Sequence, residues 1–200
     1  MNDFCLVSTV DLILASSSSY RRDLLQRLTK NFSQLAPDVD ESASVDENPA
    51  ALALRLAIAK ANAVAAIRPG TIVIGSDQVA ALGTQMLGKP GDHENARAQL
   101  LACSGQTVSF NTALCLIDGR NGRIQHAVDC TLVYFRNLGI AEIDAYLHAE
   151  KPYDCAGSFK AEGLGIALFA RMQAEDPTAL IGLPLIALSR MLRTTGVALF

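Results

Sequence analysis

Leu12-Ile13-Leu14-Ala15-Ser16-Ser17-Ser18-Ser19-Tyr20-Arg21-Arg22 sets the pattern of the whole chain. The four apolar residues predict a short buried strand. The serines predict a turn capping a helix that begins near Tyr20. A helix start offers free N–H groups and the positive end of a dipole. Two arginines in that first turn oppose the dipole, so they gain little as helix stabilisers. Guanidinium forks do fit phosphate oxygens, which makes Arg21 and Arg22 candidate anion clamps. An ordinary serine cap followed by a solvated arginine pair accounts for the same residues.

Working outward, the helical spacing of Leu24, Leu25 and Leu28 carries the helix from Tyr20 to Leu28. Asn31 to Ala36 reads as extended, and Pro37 to Glu41 as an acidic loop. Pro49 starts a long Ala/Leu helix to about Ile67, ended by Pro69-Gly70. Thr71 to Gly75 reads as a buried strand that stops at Ser76-Asp77-Gln78. Gly83 to Lys89 suits a hairpin or extended loop, and Asp92 caps a helix to about Cys103. Val108–Ile117 and Arg123–Phe135 predict two long strands around a glycine-containing turn. A short helix over Ile140–Ala149, a glycine-rich loop from Cys155 to Gly165, a strand over Ile166–Met172 and a closing helix over Pro184–Arg193 complete the series. Helices alternate with strands, yet the central hairpin is antiparallel. The expectation is an α/β protein with a mixed sheet.

The 200 residues suit one domain, or two lobes sharing a cleft, and half of them are apolar. Net charge is −3 and no Lys/Arg block occurs, which disfavours a nucleic-acid partner bound through a broad basic surface. The five cysteines (Cys5, Cys103, Cys115, Cys130, Cys155) form no Cys-x-x-Cys, so free thiols in a reducing cytoplasm are expected. Cys155 lies in a polar stretch and is the thiol to watch. No segment reads as membrane-spanning, and Asp3 and Asp11 without a basic start give no secretory signal.

Candidate chemistry is dispersed. Asp77 ends an apolar strand, where ligands gather in open α/β sheets; a loop-capping aspartate is the alternative. Asp38, Asp40 and Glu41 offer hard oxygens for Mg²⁺ or Mn²⁺, or form a solvated surface. Lys60 and Lys89 are possible phosphate partners or plain surface lysines, and the three histidines show no ligand spacing. The glycine-rich loop lacks both GxxxxGK[ST] and GxGxxG, so neither a P-loop nor a dinucleotide fold is supported.

Taken in order, these segments resemble the Maf family of nucleoside triphosphate pyrophosphatases. The resemblance is carried by Leu12 to Arg22, Val39-Asp40-Glu41, Gly75-Ser76-Asp77-Gln78-Val79, Leu87-Gly88-Lys89-Pro90 and Ser104-Gly105, then by Cys155 to Gly163, Asp176-Pro177-Thr178 and Gly182-Leu183-Pro184. It implies a two-lobed mixed β-sheet with flanking helices and a central cleft, of the Maf/inosine triphosphatase-like kind. It further implies one domain over residues 12–200 after an extension over 1–11, a homodimer, and a cytoplasmic enzyme that uses a divalent metal. The implied reaction cleaves a nucleoside triphosphate between its α and β phosphates.

The family's base aligns with Asp77, its phosphate-binding residues with Ser16, Ser18, Arg21, Arg22, Lys60 and Lys89, and its acidic metal position with Glu41 beside Asp77. Branch-separating residues align with Tyr20, Gln78 and Glu162, and the wording is most similar to the 7-methyl-GTP pyrophosphatase branch, whose role is house-cleaning of modified nucleotides. Ser19 and Tyr20 depart from it, standing where proline and tryptophan occur. Alternatives are a dTTP/UTP pyrophosphatase of the same family and a nucleotide-binding cell-division regulator without catalysis.

Overall fold

The computed structural model describes residues 11–197 and 199. Cys5, Asp3 and the first ten residues of the expected extension lie outside the described residues.

Seven strands form a single mixed sheet among the described residues. The parallel part joins β1 (Leu12–Ala15) to β2 (Ser33–Leu35) on one side and to β3 (Ile72–Leu82) on the other. The antiparallel part continues from β3 through β5 (Thr107–Asp118) and β6 (Arg123–Phe135) to β7 (Phe169–Gln173). A short β4 (Gln85–Leu87) folds back on the far end of β3. The helices are α1 (Ser19–Leu25), α2 (Pro49–Ile67), α3 (His93–Cys103), α4 (Ile140–Glu150) and α5 (Leu185–Thr194).

Three apolar clusters give the molecule its two lobes. In the first lobe, α2 covers one sheet face through Leu56, Ala57 and Ala61, and α1 and α5 cover the other through Leu24, Leu188 and Leu192. In the second lobe, α3 and α4 pack with Phe110, Phe135 and Phe159 around the far ends of β3, β5 and β6. By length and composition α2 could cross a membrane. It instead lays its buried residues against the sheet as a core helix.

Three elements differ from the sequence reading. The first helix ends at Leu25, not Leu28. The last strand starts at Phe169, because Leu164–Leu168 turns as a 3-10 helix. At Gly165 any Cβ would meet the Lys160 carbonyl oxygen at 2.4 Å. The third difference matters most: β3 does not stop at Ser76 but runs on to Leu82. Its polar residues read as a turn, yet each finds a buried partner. Ser76 Oγ donates to the Ala113 carbonyl at 2.8 Å, and Asp77 accepts from Lys60 at 2.6 Å. Satisfied polar groups can remain inside a strand.

Candidate active site

The site begins with a break in the pairing of β3. β5 pairs with β3 along its whole length. On the other side β1 pairs only with Ile72–Gly75, and β4 only with Ala80–Leu82. Ser76–Val79 is left without a strand partner on that side. Side chains alternate across a strand. Asp77 therefore faces α2, with Val73 and Val79, while Gln78 faces the opposite side, with Ile74. A cleft of about 650 Å³ opens at this gap and reaches both.

Close packing delivers the first cation. A Cβ on Gly75 would lie 2.2 Å from the Ala57 carbonyl oxygen and 2.9 Å from Ala61 Cβ, so α2 rests directly on the β3 backbone. Lys60, one helical step from this contact, is 6% exposed. Its ammonium donates to Asp77 Oδ1 at 2.6 Å and contacts Glu41 Oε1 at 2.6 Å. Hydrogen bonding from Lys60 holds the Glu41 carboxyl below its ordinary range, with the charges of Lys60, Lys89 and Arg21 adding to the effect. Lys89 is exposed and lines the cleft.

The serine turn supplies the opposite wall. Ser18 caps α1, its hydroxyl accepting from Arg21 N at 3.3 Å. Buried Ser16 accepts from Ser18 N at 3.1 Å and from the Arg21 guanidinium at 3.4 Å. Gln34 fastens this turn from β2, donating to the Ser16 and Ser18 carbonyls at 2.8 and 3.1 Å. Arg21 Nε donates to the Gly182 carbonyl at 2.9 Å, which also accepts from Ser76 Oγ at 3.0 Å. Burial lowers the pKa of Arg21, and the nearby charges of Asp77 and Glu41 oppose the shift.

Tyr20, Gln78 and Glu162 also line the cleft, as do Phe110 and Phe159, whose rings pack edge to face. The Tyr20 hydroxyl lies 3.9 Å from Cys155 Sγ. Burial raises the Tyr20 phenol, and the neighbouring Cys155, Asp154 and Glu162 push it the same way. The Cys155 thiol is pushed up to about 12, mainly by burial, so it is a poor nucleophile at neutral pH. The Gln78 amide nitrogen is already engaged, lying 2.9 Å from Thr112 Oγ1 and 3.0 Å from the Ala179 and Leu180 carbonyls. Only its oxygen remains for a ligand.

The structure thus brings Ser16, Ser18, Tyr20, Arg21, Glu41, Lys60, Asp77, Gln78, Lys89 and Glu162 to one cleft. Arg22 is not with them. One residue along α1 from Arg21, it turns away and pairs with Asp23 at 2.9 Å. Asp38 and Asp40 also stay off the cleft wall; Asp40 caps its own loop by accepting from Ser42 N at 2.9 Å. The sequence reading did not single out Lys160 as a cleft-lining cation, although it lies in the glycine-rich loop from Cys155 to Gly165. It also missed the part played by Asp176-Pro177-Thr178. Buried Asp176 accepts from Ile186 N at 2.6 Å and from Thr178 N at 2.9 Å, which caps α5 and fixes the strap that carries Gly182.

No three His, Cys, Asp or Glu side chains among the described residues converge on one point. Glu41 and Asp77 each give one oxygen to Lys60 and keep a second. Mg²⁺ is commonly held by one or two carboxylates, with waters and substrate phosphates completing its shell. This donor pair fits that mode.

Residues 11–195 match the family described as Maf-like protein. The chain is 58% identical to a 7-methyl-GTP pyrophosphatase of Cupriavidus metallidurans, over 94% of this chain and 95% of that one. It is also 58% identical to a 7-methyl-GTP pyrophosphatase of Bordetella avium, over 93% of each. In fold it is similar to a HAM1 protein from Coxiella burnetii (TM-score 0.52, 16% identity), over 94% of this chain and 100% of that chain. The Staphylococcus aureus Ham1 protein gives the same TM-score at 12% identity, over 92% of this chain and 99% of that chain. On its sequence match, the chain belongs to the Maf family.

Proposed function

We propose that this protein is a nucleotide pyrophosphatase that hydrolyses 7-methyl-GTP to 7-methyl-GMP and pyrophosphate. The observation that carries the reading is the convergence of Asp77 with Arg21, Lys60 and Lys89 in one cleft that Tyr20 and Glu162 also line. Relatives that are 58% identical and bear the name 7-methyl-GTP pyrophosphatase support the same substrate.

Asp77 would orient a water, or take its proton, through the oxygen not bonded to Lys60. Arg21, Lys60 and Lys89 would hold the polyphosphate and stabilise the charge on departing pyrophosphate. Glu41 and Asp77 would hold Mg²⁺ or Mn²⁺, which when bound neutralises phosphate charge and lowers the pKa of water. At the base end, methylation makes the guanine cationic. An aromatic ring attracts a cation, and Glu162 offsets its charge. The four described cysteines are free thiols, which supports a cytoplasmic setting. Ile124 and Val128 are exposed on a stretch of β6 paired only with β5, which supports a homodimer.

A panel of nucleoside triphosphates with Mg²⁺ or Mn²⁺, read by pyrophosphate release, tests the proposal. The expected result is preference for 7-methyl-GTP over GTP, dTTP and UTP. Equal efficiency on 7-methyl-GTP and GTP would overturn the substrate, and binding without pyrophosphate release would overturn the enzyme.

A further inference from the structure

Glu41 sits on an exposed loop, where its carboxylate meets Lys60 Nζ at 2.6 Å. The same ammonium also serves Asp77 at 2.6 Å. A second fastening lies five residues earlier on α2. Arg55 Nε donates to Glu47 Oε1 at 2.8 Å and its terminal nitrogen to Glu47 Oε2 at 2.8 Å, a two-pronged ion pair. The same terminal nitrogen donates to the Ser42 carbonyl at 2.8 Å, one residue from Glu41. Glu47 closes the loop on itself by accepting from Ser44 N at 3.0 Å. Isolated surface ion pairs contribute little, but a bidentate arginine within a network is the geometry in which they count. Arg55 pulls the Glu47 carboxyl down to about 2, so the pair stays charged at neutral and mildly acidic pH.

We propose that Arg55 is a positioning residue: by clamping Glu47 and the Ser42 carbonyl to α2, it fixes the loop that carries Glu41 and so holds that carboxylate at the cleft. Arg55 does not line the cleft and touches no reacting atom. It acts only through the loop.

The proposal rests on the pyrophosphatase reading, and its test separates the two. Arg55→Met should raise the Mg²⁺ concentration for half-maximal pyrophosphate release about five- to tenfold. At saturating Mg²⁺, kcat should stay within about threefold, and the thermal midpoint should be nearly unchanged. Mn²⁺ binding to the free protein, read by water-proton relaxation, should weaken in the same variant. Arg55→Lys, which keeps a cationic donor for Glu47 and the Ser42 carbonyl, should lose less Mg²⁺ affinity than Arg55→Met. Arg55→Met added to Glu41→Ala should cost nothing beyond Glu41→Ala alone, since coupled residues are not additive. An unchanged Mg²⁺ requirement, or additive losses in the double variant, would overturn the proposal. If the wild type released pyrophosphate from no nucleotide, the functional reading would fail. The Mn²⁺ measurement would then decide on Arg55 by itself, with unweakened binding counting against it.

Discussion

The cleft holds two groups of residues, one about Asp77 and one about Tyr20, and they are built differently. About Asp77 the charged side chains are matched to one another inside the protein: one buried ammonium bridges two carboxylates, and Arg21 is seated on a backbone carbonyl. About Tyr20 the amide nitrogen of Gln78 is tied to the strap, the Tyr20 hydroxyl lies beside the Cys155 thiol, and Glu162 is exposed. One group exists as a finished electrostatic frame; the other leaves its negative and aromatic side chains for the ligand to engage. Rate should therefore depend on the first group and discrimination on the second.

The sharpest way to break this division is Asp77→Asn. Loss of a positioned catalytic carboxylate should lower pyrophosphate release ~100-fold or more. The circular dichroism spectrum should be retained, because Glu41 still pairs with Lys60. Wild-type turnover in this variant would remove Asp77 from the chemistry.

Gly75→Ala should come next. The added methyl would fall 2.2 Å from the Ala57 carbonyl, so α2 must shift and take Lys60 with it. Overpacking of this kind costs about 1–3 kcal/mol. Thermal melts should show a lower midpoint, and steady-state assays a drop in kcat of about tenfold, because a displaced Lys60 misplaces its partner Asp77. Selectivity among bases should be spared. A change in selectivity would mean that the two groups are not separable.

Tyr20→Ala probes the other group. Loss of a ring stacked on a cation costs roughly 0.5–2 kcal/mol, or about two- to thirtyfold. That loss should fall on the ratio of kcat/KM for 7-methyl-GTP over GTP, with inhibition by pyrophosphate little altered. The smallest effect belongs to Arg22→Ala, with turnover within about twofold of wild type. Its partner Asp23 is exposed, and such pairs contribute little. A large loss there would return Arg22 to the phosphate frame.

Much of this was legible in the sequence where pattern and tertiary structure agree. Pro49 and Pro69-Gly70 marked the limits of α2, and Asp92 the cap of α3. Lys60 was noted among the alanines of α2, but nothing local says that it is buried or that it meets Glu41 and Asp77. Those contacts join residues 19 and 17 positions apart. Arg21 and Arg22 are alike in composition; only the rotation of the helix sends one to Gly182 and the other to Asp23. The continuation of β3 through Ser76 and Asp77 was illegible for a related reason. Polar residues mark a turn unless distant groups satisfy them, and here Ala113 and Lys60 do so. The clamp at Arg55 was hidden in the same way, since Glu47 reads as one more loop acid.

The gap in β3 has one more consequence. Exposed strand backbone invites pairing with other chains and, in time, insoluble aggregates. On β3 the gap spans only Ser76–Val79, about 13 Å at 3.3 Å per residue, with β1 and β4 closing it like bookends. Ser76, Asp77 and Val79 are buried within it, and an extended foreign segment has no room to slide along so short a window. The sheet is thereby parted for a cleft without gaining a free edge at that point.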